Sequence, residues 1–114
     1  MSHAVTPSRV AALEVLRRTR QGELADRALD GATRDLDPRD RAWTQELVLG
    51  TFRLRGRLDW LLGGLVKGGL GRLDADVLDV LRLGAYQLLE MGSVPSYAAV
   101  SQSVDLVRMT GSPS

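Results

Sequence analysis

Two stretches of the chain repeat one pattern, apolar residues at helical spacing with a glycine set among them. In the first, Trp43, Leu47, Gly50 and Leu54 fall at i, i+4, i+7 and i+11, and Val77, Leu81, Gly84 and Leu88 repeat those intervals. Both match a 3.6-residue period. A glycine inside an exposed helix costs about 1 kcal/mol relative to alanine, so its presence in an apolar stripe implies that another backbone packs closely there. Two such notches predict a close helix crossing, which the two helices could make with each other. No segment alternates with period two, so no strand is predicted and the fold class is all-α.

Capping signals divide the chain. Thr6-Pro7 opens a first helix carrying Val10, Ala12, Leu13 and Leu16, which Gln21-Gly22 stops. A shorter helix spans Leu24 to Arg34, with Leu24, Ala28 and Leu29 on its apolar side. Asp37-Pro38 repeats the opening signal, with Asp40 in the first turn, and Gly56 is expected to end or break that third helix. Arg57 to Val66 reads as a further short helix, and the glycine-rich run from Gly63 to Gly71 as a connection. Asp74 is expected to cap a long helix to Glu90 or Met91, with Asp76 and Asp79 near its positive end. After Val94-Pro95, Ser96 is expected to cap a last helix lined by Val100, Val104 and Val107 and ending near Thr110-Gly111. With 114 residues, this is one domain, large enough for a core without metal or disulfide.

Several chemistries are excluded or disfavoured. Without cysteine there is no disulfide, zinc-thiolate site, iron-sulfur cluster or cysteine nucleophile, and the single histidine, His3, cannot build a triad or a multi-histidine metal site. An independent enzyme is not expected. No apolar run spans a bilayer and the opening MSHAVTPSR lacks a secretory core, so a cytoplasmic location is expected. Gly63-Gly64 and Gly68-Gly69 lack the Gly-Lys-Ser/Thr ending of a phosphate loop, and Asp74 stands where Gly69-Leu70-Gly71 would need a third dinucleotide-binding glycine. Asp74-Ala75-Asp76 runs into Val77-Leu78, not into an oxygen-rich calcium loop. Trp43 and Trp60 fall on apolar stripes and are expected in the core; Tyr86 and Tyr97 could each bury a ring and keep the hydroxyl at its edge.

The arginines leave two readings open. Net charge is only +1, yet Lys67 is the single lysine among 15 basic residues. Arg17, Arg18 and Arg20 cluster near the end of the first helix, and Arg53, Arg55 and Arg57 near the end of the third. Such charges favour the helix dipole. Guanidinium groups also grip phosphate bidentately and stack on splayed bases, which suits single-stranded or loop RNA.

Three stretches point further: Gly50-Thr51-Phe52-Arg53 within ELVLGTFRLRGRLDWLL, the run LRLGAYQLL at Leu81 to Leu89, and Val94-Pro95 followed by Ala98-Ala99-Val100. In this order, between the RVAALEVL helix and VDLVR, they resemble the NusB-like domain over nearly the whole chain. The likeness is strongest to the version at the N-terminus of bacterial 16S ribosomal RNA cytosine-5 methyltransferases, the Sun/Fmu group.

The resemblance implies a helical bundle of two packed three-helix units that binds RNA. In the antitermination factor such a domain binds a boxA-type RNA with a ribosomal protein partner. In the methyltransferases it helps position ribosomal RNA for a downstream catalytic domain that uses S-adenosylmethionine. On this reading residues 1–114 form a non-catalytic RNA-binding domain with no cofactor of its own. Its partners would be ribosomal RNA and the catalytic domain. A transcription antitermination or protein-interaction module is the alternative. Arg9, Arg17 and Arg18 are the first candidate RNA contacts, and Arg53, Arg55, Arg57 and Arg82 the second. Only Arg9 stands where the antitermination factor has a dense arginine run, which argues against carrying boxA recognition over. The family's last helix has no counterpart before Gly111-Ser-Pro-Ser, so a truncated longer protein is expected, with an apolar surface left open over Val100, Val104 and Val107 and prone to self-association.

Overall fold

The computed structural model describes residues 5–111; His3 and the closing Ser112-Pro113-Ser114 lie outside them. Within that range six helices follow one another: α1 (Pro7–Arg20), α2 (Ala25–Thr33), α3 (Pro38–Arg53), α4 (Arg55–Gly63), α5 (Ala75–Glu90) and α6 (Ser96–Met109). There is no strand among the described residues, as the absence of period-two alternation predicts. A single 3₁₀ turn, Leu70–Arg72, interrupts the glycine-rich connection between α4 and α5.

Two caps form as expected. The Thr6 hydroxyl accepts from the Arg9 amide at 3.4 Å, and the Asp37 carboxylate accepts from the Asp40 amide at 2.8 Å. Two do not. Asp74 precedes α5 but its side chain makes no capping bond, and Pro95 occupies the position before α6, which puts Ser96 inside the helix. Gly56 does not separate α3 from α4 either. Leu54 is the corner, because its amide still bonds to the Gly50 carbonyl at 3.0 Å while its own carbonyl accepts from the Leu58 amide at 2.9 Å. One residue therefore ends one helix and starts the next, and Gly56 lies in the first turn of α4.

α1, α2 and α3 pack together, and α5 collects α4 and α6 as the second unit. α5 also lies across α1 and α3, so Val15, Leu47, Val48, Leu58, Val80 and Leu83 share one core. The buried face of α5 is centred on Val80, Leu83, Tyr86 and Gln87, and of the predicted Val77–Leu81–Gly84–Leu88 stripe only Gly84 is buried. That stripe is turned sideways, with Leu88 exposed.

The glycine notches are real, but they do not meet each other. A Cβ on Gly50 would lie 2.0 Å from Cζ of Tyr86, so α3 and α5 close up around that ring. A Cβ on Gly84 would lie 2.6 Å from Oγ of Ser103, so this notch receives α6.

α4 and α6 both flank α5 and stay apart. Between them runs an apolar groove of about 520 Å³, floored by Leu81, Gly84 and Leu88 and walled by Leu61, Val100 and Val104. It is the open surface over the α6 valines that the sequence predicts. No helix among the described residues is long and apolar enough to cross a membrane.

Candidate nucleic-acid interface

The seven candidate arginines fall into three physical states. Arg9 and Arg82 are buried and committed inside the protein. Arg82 donates through Nε and Nη2 to both oxygens of Asp59, at 2.7 and 2.9 Å, and through Nη1 to Asp79 at 2.9 Å. The Asp59 hydrogen bonds raise its pKa further above the ordinary arginine value. Burial pushes the Asp79 carboxyl up, against the pull of Arg82 and Arg20. Asp59, on α4, is thus the main counter-ion of Arg82, and Asp79 shares it.

Arg9 stacks 5.0 Å from the centre of the Trp43 ring, with Nε donating to Gln87 at 2.9 Å and Nη1 to the Thr6 hydroxyl at 3.1 Å. Desolvation lowers its pKa. Arg9 and Arg82, two of the candidate RNA contacts, are thus engaged within the fold: one pins α1 to α3 and α5, the other pins α5 to α4. Trp43, half-buried against this cation, packs as expected.

Arg17 and Arg18 are held loosely. Nε of Arg17 is 3.4 Å from Asp76, and Nε of Arg18 is 3.7 Å from Glu14 and 3.9 Å from Glu23. Exposed pairs of this kind are worth about 0 to 1 kcal/mol, so a phosphate can take the guanidinium over. Arg53, Arg55 and Arg57 are exposed and have no ion pair among the described residues. The one carboxylate near them in sequence, Asp59, is taken by Arg82.

One member of each arginine cluster, Arg20 and Arg55, lines a cleft of about 370 Å³. The end of α1 supplies Thr19 and Arg20, the α3–α4 corner supplies Phe52 and Arg55, and Asp79 and Arg82 lie at the base. Arg20 holds both Asp76, at 2.6 Å, and Asp79. Thr51, also on the wall, has a buried hydroxyl with no hydrogen-bond partner. The helix dipole alone does not account for Asp76 and Asp79: Arg20, absent from the candidate contacts, ties both to α1, and Arg17 adds a looser contact to Asp76.

Trp60 is the clearest departure from the sequence-based expectation. It is 78% exposed on α4, whereas its stripe position predicts burial. Tyr97 is likewise exposed, while Tyr86 is buried against Gly50.

The NusB family profile matches residues 6–114. The chain belongs to the NusB family. Among its relatives, a provisionally named methyltransferase of Mycobacterium tuberculosis is 40% identical over 102 residues, which cover 87% of this chain and 22% of that protein. The ribosomal RNA small subunit methyltransferase B of Pseudomonas putida is 41% identical over 69 residues, covering 60% of this chain and 16% of that protein. The transcription antitermination protein NusB of a Nocardioides species is 38% identical over 88 residues, covering 76% of this chain and 65% of that protein. This NusB domain thus spans about a fifth of the first methyltransferase relative's length. No solved structure is a significant match.

Proposed function

We propose that this NusB-family domain is the non-catalytic RNA-binding part of a 16S ribosomal RNA cytosine-5 methyltransferase in the cytoplasm. Its role is to position ribosomal RNA for a catalytic domain elsewhere in the parent protein, where S-adenosylmethionine supplies the methyl group. The names of the methyltransferase relatives support the parentage. The observation that supports RNA binding is the set of five exposed or loosely paired arginines, Arg17 and Arg18 near the end of α1 and Arg53, Arg55 and Arg57 around the α3–α4 corner.

Filter binding to 16S ribosomal RNA fragments tests this reading. Alanine at Arg53, Arg55 and Arg57 together is expected to weaken binding by at least about tenfold, since each lost charge removes counterion release. An unchanged affinity would remove the arginine face from the account.

The apolar groove favours a second role, contact with protein. It is suited to the parent's catalytic domain, to a second copy of this chain, or to a partner of an antitermination factor. Light scattering of the isolated domain is expected to show self-association that Val104→Asp abolishes. A monomer at high concentration would count against this use of the groove.

A further inference from the structure

Trp60 sits on a helix face with unusually little around it. A helical side chain leans back over positions i−3 and i−4, and its other neighbours are i+3 and i+4. For Trp60 those positions are Arg57, Gly56, Gly63 and Gly64. Three of the four are glycines. A Cβ added to Gly56 or Gly63 would meet nothing within 4 Å, and one on Gly64 only the Leu61 carbonyl at 3.6 Å, so no other part of the fold fills this space. The indole is a bare platform whose one long neighbour on its own helix is a guanidinium.

The charge around the platform is one-sided. Arg53, Arg55 and Arg57 carry no ion pair among the described residues, and the carboxylate next to Trp60, Asp59, is turned inward onto Arg82. Trp60 does not line the apolar groove, whose wall on this side is Leu61 and Leu62 of α4 and Leu65 just beyond it. A large exposed ring with no apolar side chain at its helical neighbour positions and a guanidinium three residues before it matches an unpaired nucleobase flanked by phosphates better than a protein's apolar surface.

We infer that Trp60 is a stacking platform for an unpaired base of single-stranded RNA, with Arg57 and Arg53 on the adjoining phosphates. This rests on the RNA-binding reading above and adds to it the strand state of the ligand and the residue that senses it. Stacking is indifferent to base identity, so the platform selects unpaired over paired RNA and not one sequence over another.

The test uses the 114-residue chain, a labelled oligouridylate, and an abasic oligomer of equal length and charge. The wild type is expected to bind oligouridylate about tenfold more tightly than the abasic strand. Trp60→Leu should erase that difference, and Trp60→Phe should keep most of it. Oligouridylate should quench tryptophan emission in the wild type but not in Trp60→Phe. Because the side chain is exposed, circular dichroism melting should be the same for all three proteins.

If Trp60→Leu retains the preference for oligouridylate while Arg53→Ala and Arg57→Ala weaken both strands, stacking is wrong and the arginine interface stands. If the wild type binds neither strand, the RNA reading and the platform fall together. If Trp60→Leu leaves RNA affinity intact but changes the mass by light scattering, Trp60 is a protein contact and the inference is overturned.

Discussion

Replacing Arg82 by alanine is expected to destabilise the domain by about 3 kcal/mol, lowering the melting temperature by more than about 10 °C. The guanidinium is almost fully buried and satisfies three carboxylate oxygens on two helices. Its removal leaves Asp79 inside the protein with Arg20 as its one ion-pair partner among the described residues and Arg55 as a more distant charge, and Asp59 without its ion pair. Leaving a buried charge unpartnered costs far more than the pair itself contributes, because the desolvation penalty stays while the attraction is lost.

Asp79→Asn supplies the contrast. It is expected to cost less, since Arg82 keeps Asp59 and Arg20 keeps Asp76. Burial raises the Asp79 pKa, so the folded state holds that proton more tightly than the unfolded one. Its contribution is therefore fully present below the ordinary carboxylate value and lost as pH rises through the folded-state pKa. Asn should remove that part of the acid profile. Thermal melts of both variants across mildly acid pH check the order, and equal losses would contradict it.

Gly50→Ala is the second large effect, at about 2 kcal/mol. The new methyl would sit 2.0 to 2.4 Å from two ring carbons and the hydroxyl oxygen of Tyr86, and the ring is enclosed where α3 crosses α5. Overpacking of this kind typically costs about 1 to 3 kcal/mol, because the ring must leave its rotamer or the helices must part. Gly84→Ala is a milder case, since its main obstacle is the Ser103 hydroxyl, which belongs to a short side chain that can rotate. A double-mutant cycle of Gly50→Ala with Tyr86→Ala, read by denaturant melts, should show strong coupling, as the space left by the ring admits the methyl. Additive losses would mean that the crossing is held apart by something else.

The helices and their order were legible because their signals are local. Thr6-Pro7, Asp37-Pro38 and Gln21-Gly22 act through bonds to residues only a few positions away. The glycine notches were legible as close approaches, but not their partners, since nothing near Gly50 in sequence points to Tyr86. The phase of α5 is not legible for a related reason. Asp79, Arg82 and Gln87 suggest a solvent face, yet each has a polar partner on another helix: Arg20, Asp59 and Arg9 respectively.

The same long-range pairing separates the arginines. Arg82 and Arg57 look alike in the sequence, and only the fold shows that Asp59 is held by the first and leaves the second unpaired. For Trp60 the sequence does carry a signal: glycines at three of its four helical neighbours leave little for a core tryptophan to pack against on its own helix.

On the proposed reading, the exposed arginines near the end of α1 and around the α3–α4 corner bind RNA through phosphate. The most direct measurement of that claim is the slope of the logarithm of affinity against the logarithm of salt concentration, for a single-stranded 16S ribosomal RNA segment. Each phosphate contact to a single strand contributes about −0.7 to that slope, so the Arg53, Arg55 and Arg57 triple alanine variant should flatten it by about 2. A slope identical to that of the wild type would contradict the claim.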